Sequence, residues 1–66
     1  MAFELFDHVL IENKGVEGDI VDIYAKDDGE QAYIVQSRTQ GYVNDPDVYD
    51  GEYPLYDCTE DQLKLI

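Results

Sequence analysis

The side chains best suited to recognition chemistry in this sequence crowd into one stretch. Residues 42–57 contain four tyrosines and five acids. Tyrosine offers a wide, stiff contact surface with a polar tip, and a neighbouring carboxylate can hold an arginine or lysine of a partner. Alternatively, Tyr53 and Tyr56 only cover the core while the acids keep the surface hydrated. The candidate partner-binding residues are Tyr42, Asp45, Asp47, Tyr49, Asp50, Glu52, Tyr53, Tyr56 and Asp57.

Hard oxygen ligands also gather in residues 44–52, which raises the question of calcium. Counted from Asp45, the fifth position of an EF-hand loop is Tyr49, the glycine falls one place late at Gly51, and the twelfth position is Tyr56 instead of glutamate. We therefore predict no metal site and no cofactor. A calcium-binding loop stays a minor alternative.

Catalytic residues are scarce. His8 and Cys58 are the only histidine and cysteine, and a nucleophile needs a base beside it. We expect His8 to point outward from the first strand and Cys58 to fill a gap in the core, because a lone cysteine usually packs as a small apolar residue. A small core also leaves little room for a substrate pocket. The prediction is a protein that is not an enzyme.

The charge balance excludes some partners. Sixteen Asp and Glu against four Lys and Arg give a net charge of −12 over 66 residues, which repels nucleic acids and anionic membrane surfaces. A protein with a basic surface is the expected partner. As an alternative, the carboxylates could imitate the phosphates of DNA or RNA and inhibit a nucleic-acid-handling enzyme, as phage or mobile-element inhibitors do.

The cellular setting follows from the cysteine count and the start of the chain. Cys58 has no second cysteine to pair with, which fits a reducing compartment. The first residues carry neither a basic patch nor a long apolar run, so we expect no signal peptide and no membrane anchor. We predict a cytoplasmic protein.

Short β-type runs separated by turns must position these residues. Strands are predicted at 7–12, 16–24, 31–37, 52–58 and 63–66, with an Asp28-Gly29 hairpin turn and an acidic, tyrosine-rich loop at about 39–53. Thr59 and Gln62 form a capping-box pattern. Pro54 would suit a sheet edge. The expected core consists of Val9, Ile11, Ile20, Ile23, Tyr33, Val35, Leu55, Leu63 and Ile66.

These elements predict one domain over residues 1–66, because so short a chain has no room for a second core. The fold class is all-β. We expect a small SH3-like five-stranded barrel with one short helical or 3₁₀ turn before the last strand, since curling the sheet leaves few exposed edges. We expect a monomer, with a dimer through a short edge pairing as the alternative.

The sequence resembles the small KOW-type SH3-like barrels found as short bacterial proteins. The resemblance is carried by the runs at 6–11, 15–23, 32–35 and 60–63, which contain an early Asp-x-Val, a Gly-x-x-Gly-x-Ile-Val run, a Tyr-x-Val strand and an acidic-Leu turn. It implies the barrel, and it specifies no activity. We therefore expect a non-catalytic module that binds a basic protein surface.

Overall fold

The computed structural model describes residues 3–38 and 53–66 with their side chains, and the backbone of residues 48 and 49. Within these residues the chain forms six strands and a single 3₁₀ turn, Glu60–Gln62. The strands are β1 His8–Ile11, β2 Val16–Ala25, β3 Gln31–Ser37, β4 Val48–Tyr49, β5 Leu55–Thr59 and β6 Leu63–Leu65. The all-β fold class predicted from the sequence is confirmed.

All neighbouring strands pair antiparallel in one sheet of order β4-β5-β3-β2-β1-β6. The β1–β2 turn ends at Gly15, whose φ is 67° and whose amide donates to the Ile11 carbonyl over 2.8 Å. The β2–β3 hairpin turns at Gly29, with φ 87° and an amide that donates to the Lys26 carbonyl. Glycine suits both turns because L side chains strain at positive φ.

The predicted strands are all present, with adjusted ends. The strand predicted at 52–58 begins at Leu55, after Pro54, whose carbonyl accepts the amide of Ser37 over 2.9 Å. The structure adds β4 within the range predicted as loop. Val48 and Tyr49 are both residue types that favour strands, and they pair with Tyr56 and Leu55 of β5.

One face of the sheet holds the core. Its buried residues are Val9, Ile11, Ile20, Tyr33, Val35, Tyr56, Cys58 and Leu63. The predictions for Val9, Ile11, Ile20, Tyr33, Val35 and Leu63 are confirmed, and Cys58 packs in the core as expected. Phe3 packs against this cluster, with its ring edge-on to Tyr33 at a centroid distance of 5.6 Å.

The remaining core predictions need correction. Ile66 follows β6 and is 61% exposed, and Ile23 is only half-buried at the edge of the cluster. Leu55 is also half-buried, because β5 turns Tyr56 and Cys58 inward and so sends Leu55 and Asp57 to the opposite face. Side chains alternate along a strand, so a shift of one residue exchanges the faces. The opposite phase would have placed the Asp57 carboxylate in the core.

Two backbone features set how β2 lies on β3. Gly18 is buried against β3, and a Cβ built there would collide with the Gln36 carbonyl and lie 2.7 Å from Val35 Cγ1. Further along β2 the register shifts between Ile20 and Asp22, so that Val21 is an extra residue, as in a β-bulge. The bulge lets Ile20 and Ile23 both face the core, while Asp22 and Tyr24 face away from it.

The predicted capping pattern also forms. The Thr59 amide donates to Gln62 Oε1 over 3.0 Å, and the Thr59 hydroxyl donates to the Asp61 carboxylate. These contacts close the 3₁₀ turn that leads into β6. They start β6 in register with β1, where Leu63 pairs with Ile11.

Candidate functional site: the outer face of the sheet

The side chains that alternate with the core along β1, β2, β3 and β5 form a second surface, called here the outer face. The strand register aligns Asp22, Ile34 and Asp57 in one cross-strand row, and Tyr24, Ala32 and Thr59 in the next. The outer face carries His8, Leu10, Glu17, Asp19, Asp22, Tyr24, Ala32, Ile34, Gln36, Leu55, Asp57 and Thr59.

Tyr24 and Asp57 are joined across the sheet. The Tyr24 hydroxyl lies 2.8 Å from Asp57 Oδ1 and 2.7 Å from Oδ2, so it donates to both carboxylate oxygens. Tyr24 is on β2 and Asp57 on β5, with β3 between them. Ala32 of β3 is only 1% exposed although it belongs to the outer face, and Tyr24 itself is 38% exposed. Tyr24 therefore shields β3 while keeping part of its ring in solvent.

The part of the outer face around this contact is called here the acidic end, and it consists of Asp22, Tyr24, Ile34 and Asp57. Asp22 accepts the Ile23 amide over 2.9 Å and is exposed. Within the described residues neither Asp22 nor Asp57 forms an ion pair. A depression of about 560 Å³ adjoins Tyr24 and runs along the hairpin to Asp28.

The other part of the outer face, His8, Glu17, Asp19 and Arg38, is called the paired end. Arg38 donates from Nε to Asp19 Oδ2 over 3.0 Å and from Nη2 to Oδ1 over 2.9 Å. His8 Nε2 lies 3.1 Å from Glu17 Oε1. The hydrogen bond from Arg38 is the largest cause that holds the pKa of Asp19 below its usual value; desolvation opposes it, and the charge of Arg38 adds to the lowering.

Tyr53 lies beside the paired end. Together with Asp19, Gln36, Ser37 and Arg38 it lines a shallow depression of about 330 Å³, and Tyr53 is 44% exposed. An exposed aromatic ring next to a polar, open depression provides contact area without enclosing a substrate. The depression is suited to contact with a partner surface.

The predicted binding residues are placed as follows. Tyr53 is exposed and Asp57 lies on the outer face, but Tyr56 is only 5% exposed and packs in the core. Tyr49 contributes its backbone to β4. The remaining predicted residues, Tyr42, Asp45, Asp47, Asp50 and Glu52, lie outside the described residues, as does most of the stretch weighed for calcium.

The sequence prediction missed Asp22, Tyr24 and Ile34 as parts of a surface. The signal lay in β2, where Asp22 and Tyr24 alternate with Ile23 at the two-residue period of a half-buried strand. His8 was predicted to point outward, and it does lie on the outer face, half-buried.

Comparison with protein-family models, with curated proteins and with solved structures gave no match. Across residues 3–38 and 53–66, no cluster of three or more His, Cys, Asp or Glu side chains is arranged to hold a metal ion. The part of the chain that the structure describes also contains no helix with the length and apolarity to cross a membrane.

Proposed function

We propose that the protein is a non-catalytic, acidic interaction module that binds a basic protein surface through the stretch from Tyr42 to Asp57. Asp57 carries the proposal: it is a predicted contact acid that lies on the outer face, is anchored by Tyr24 and makes no ion pair among the described residues. Tyr53 supports it as an exposed aromatic ring of the same stretch. Tyr56 would support this surface from the core.

We propose that this module is an SH3-like barrel of the KOW type and that it resides in the cytoplasm. The barrel is supported by the pairing of the last strand, β6, with the first, β1, and by the 3₁₀ turn directly before β6. The β2–β3 hairpin also supports the barrel, and the single cysteine supports the cytoplasmic location. We expect the module to act as a monomer.

The test uses the tagged full chain, a lysate of the source organism and elution by a rising salt gradient. Tyr49→Ala with Tyr53→Ala should remove the bound partner, because truncated aromatic anchors cost more binding energy than rim charges. Leu5→Ala, which shortens an exposed apolar side chain outside the stretch, is the control and should retain the partner. Circular dichroism checks that each variant is folded.

The same experiment separates the nucleic-acid mimic from the module. A mimic would release a DNA- or RNA-handling enzyme at moderate salt and would respond most to neutralised acids spread over several faces. Binding that survives the double tyrosine substitution unchanged would rule out the stretch as the contact surface. Calorimetric titration with calcium chloride, with magnesium chloride as the control, tests the calcium alternative.

A further inference from the structure

We infer that the exposed ring of Phe6 is an anchor that enters an apolar pocket with a basic rim on the partner protein. Phe6 lies in a tight turn, residues 4–7, directly before β1. The inference rests on the proposed function, since it names a second contact with the same basic partner. That contact lies outside the stretch from Tyr42 to Asp57.

Backbone strain at Phe6 is the first reason. Its φ is 70°, and it is the only residue other than glycine with a positive φ in the part of the chain that the structure describes. The Asp7 amide donates to the Glu4 carbonyl over 3.2 Å, so Phe6 is the third residue of a β-turn. A turn with positive φ at this place favours glycine or asparagine. A phenylalanine there costs stability, because its Cβ is crowded against the backbone.

The turn holds Phe6 in this conformation. The Phe6 amide donates to the Ile20 carbonyl over 2.7 Å, and the Ile20 amide donates to the Asp7 carbonyl over 3.1 Å. The Glu4 amide donates to Asp7 Oδ2 over 2.9 Å. These bonds fix the turn to itself and to β2 without using the Phe6 side chain. Asparagine or glycine at position 6 could therefore form the same turn with less strain.

Exposure of the ring is the second reason. Phe6 is 78% exposed, more than any other large apolar side chain that the structure describes. Phe3, three residues earlier, packs on the core, and Phe6 is not among the residues that form or cover it. The fold thus bears the strain of Phe6 and gains no packing from its ring. Strain of this kind persists where a residue serves contact with a partner, at some expense of stability.

Charge defines the pocket that fits this ring. Glu4 and Asp7 flank the tip of the turn, and among the described residues neither forms an ion pair. Their carboxylates favour Arg or Lys side chains at the rim of the pocket. A second copy of the chain is a poor host, because each copy carries a net charge of −12. The described depressions of this chain are also open and lined by charged residues.

The position of Phe6 connects it with the proposed contact stretch. The Phe6 amide bonds Ile20 of β2, and β2 pairs with β3. On the other side of β3, the Ser37 amide bonds the Pro54 carbonyl, next to the exposed Tyr53. Three strand spacings separate the backbones of Phe6 and Tyr53, on the order of 15 Å. An interface of about 800 Å² on each partner can cover both rings.

A synthetic host of the stated chemistry tests whether Phe6 can enter such a pocket. The probe is heptakis(6-amino-6-deoxy)-β-cyclodextrin, whose apolar cavity carries a rim of ammonium groups, and the readout is a ¹⁵N NMR titration of the full chain. The largest amide shifts should fall on Leu5, Phe6 and Asp7. The amino host should bind about 5-fold or more tightly than neutral β-cyclodextrin, because the flanking acids attract its rim.

Variants of the turn separate the ring from the charge. Phe6→Asn should weaken binding of the amino host about 10-fold or more, because it removes the aromatic anchor. Its urea midpoint should equal or exceed that of the unmodified chain, because asparagine tolerates positive φ. Glu4→Gln should lower the preference for the amino host about 2-fold. Glu12→Gln, at an exposed position at the far end of β1, is its control and should leave that preference unchanged.

The salt-gradient pull-down then tests the contact with the partner itself. Phe6→Asn should reduce the recovered partner about 10-fold, whereas Phe6→Trp, which keeps an aromatic ring, should retain it. Leu5→Ala also should retain it, since Leu5 is less exposed than Phe6 and has no positive φ. The chain contains no tryptophan, so Trp fluorescence in Phe6→Trp reports on position 6 alone. The purified partner should shield that fluorescence from quenching by acrylamide.

Several results would overturn the inference. They are host-induced shifts that avoid residues 5–7, equal affinity for the two hosts, and a fall of the urea midpoint in Phe6→Asn, which would assign the ring to the fold. A dimer of the unmodified chain that Phe6→Asn dissociates would also overturn it, because a second copy would then cover the ring.

The two proposals can fail separately. If Phe6→Asn retains the partner while Tyr49→Ala with Tyr53→Ala loses it, the inference about Phe6 is wrong and the proposed contact stretch stands. If only Phe6→Asn loses the partner, the stretch from Tyr42 to Asp57 is wrong as the contact surface and the inference about Phe6 stands.

Discussion

The two ends of the outer face use similar residues to different effect. At the paired end, Asp19 and Glu17 each face a potential cation, in Arg38 and His8. At the acidic end, Asp22 accepts a hydrogen bond from the Ile23 amide and Asp57 accepts from the Tyr24 hydroxyl. A hydrogen bond from a neutral donor orients a carboxylate without cancelling its charge. The acidic end therefore keeps its negative charge available to a partner, whereas at the paired end the charge of Asp19 is compensated by Arg38.

The difference follows from where the few basic residues lie. The chain has four Lys and Arg against sixteen acids, so most carboxylates must do without a partner of their own. Arg38 directly follows β3, and the pairing of Asp19 with Gln36 brings Asp19 close to it. Lys26 directly follows β2, but among the described residues it forms no ion pair with Asp22 or Asp57. Strand register, more than composition, decides which acids are neutralised.

The largest effect is expected from a substitution of Gly18, which should disrupt the acidic end and the paired end together. Gly18→Ala places a Cβ against the Gln36 carbonyl and Val35, and overpacking of this kind typically costs about 1–3 kcal/mol. Because a domain this small has little stability to lose, urea denaturation should show a large fall in midpoint. NMR spectra should then show loss of the Tyr24–Asp57 and Arg38–Asp19 contacts.

Gly15→Ala is the matched control for Gly18→Ala. A Cβ at Gly15 meets open space, and only its positive φ opposes the substitution, at a cost of about 1–2 kcal/mol. Gly15 lies in the β1–β2 turn, away from the β2–β3 contact, so the Tyr24–Asp57 and Arg38–Asp19 contacts should persist. If Gly18→Ala unfolds at the same urea concentration as the unmodified chain, the close approach of β2 and β3 has no energetic role.

A smaller effect should sharpen the description of the acidic end. Tyr24→Phe removes the hydroxyl that donates to Asp57 and should cost about 0.5–1.5 kcal/mol of unfolding free energy. A double-mutant cycle with Asp57→Asn, measured by urea denaturation, should give a non-zero coupling energy. Strictly additive losses would mean that the two side chains do not interact in solution.

The smallest effect concerns the paired end. Asp19→Asn should lower stability at pH 7 by less than about 1 kcal/mol, because the ion pair is open to solvent and screened. The pKa of Asp19 is lower in the folded chain than in the unfolded chain. Its contribution is therefore complete above the unfolded pKa and is lost as the pH falls through the folded pKa.

Urea denaturation from pH 7 to pH 2 measures this trend as the difference between the unmodified chain and Asp19→Asn. The difference should shrink toward zero at the acidic limit and should also shrink when salt is added at pH 7. A difference that grows as the pH falls would contradict the direction of the Asp19 pKa shift.

The strands and turns could be predicted from sequence because each rests on local signals. Glycines in turns, β-branched runs and the Thr59–Gln62 pattern act within a few residues of the chain. The phase of β5 could not be read in the same way, since Leu55 and Tyr56 are both apolar and either could face inward. β4 was missed because its two residues stand among turn-forming residues.

The candidate site was predicted only in part for a related reason. Asp57 and Tyr53 were found because they belong to a stretch rich in tyrosine and acidic residues. The contact of Tyr24 with Asp57 spans 33 positions in sequence, and it depends on the bulge at Val21 and on β3 lying between their strands. Composition along the chain does not carry that information, because it arises only when the register of three strands is set.

Because Cys58 is buried, the reactivity of its thiol can report on local opening of the fold. The side chain faces the core from β5, opposite Tyr33 of β3, and it is the only thiol of the chain. A reagent that alkylates thiols can reach the sulfur only when β5 opens, so the labelling rate, compared with that of a short cysteine peptide, reads out the opening equilibrium. Labelling with and without a basic peptide would then report stabilisation by binding without a tag or dye on the protein.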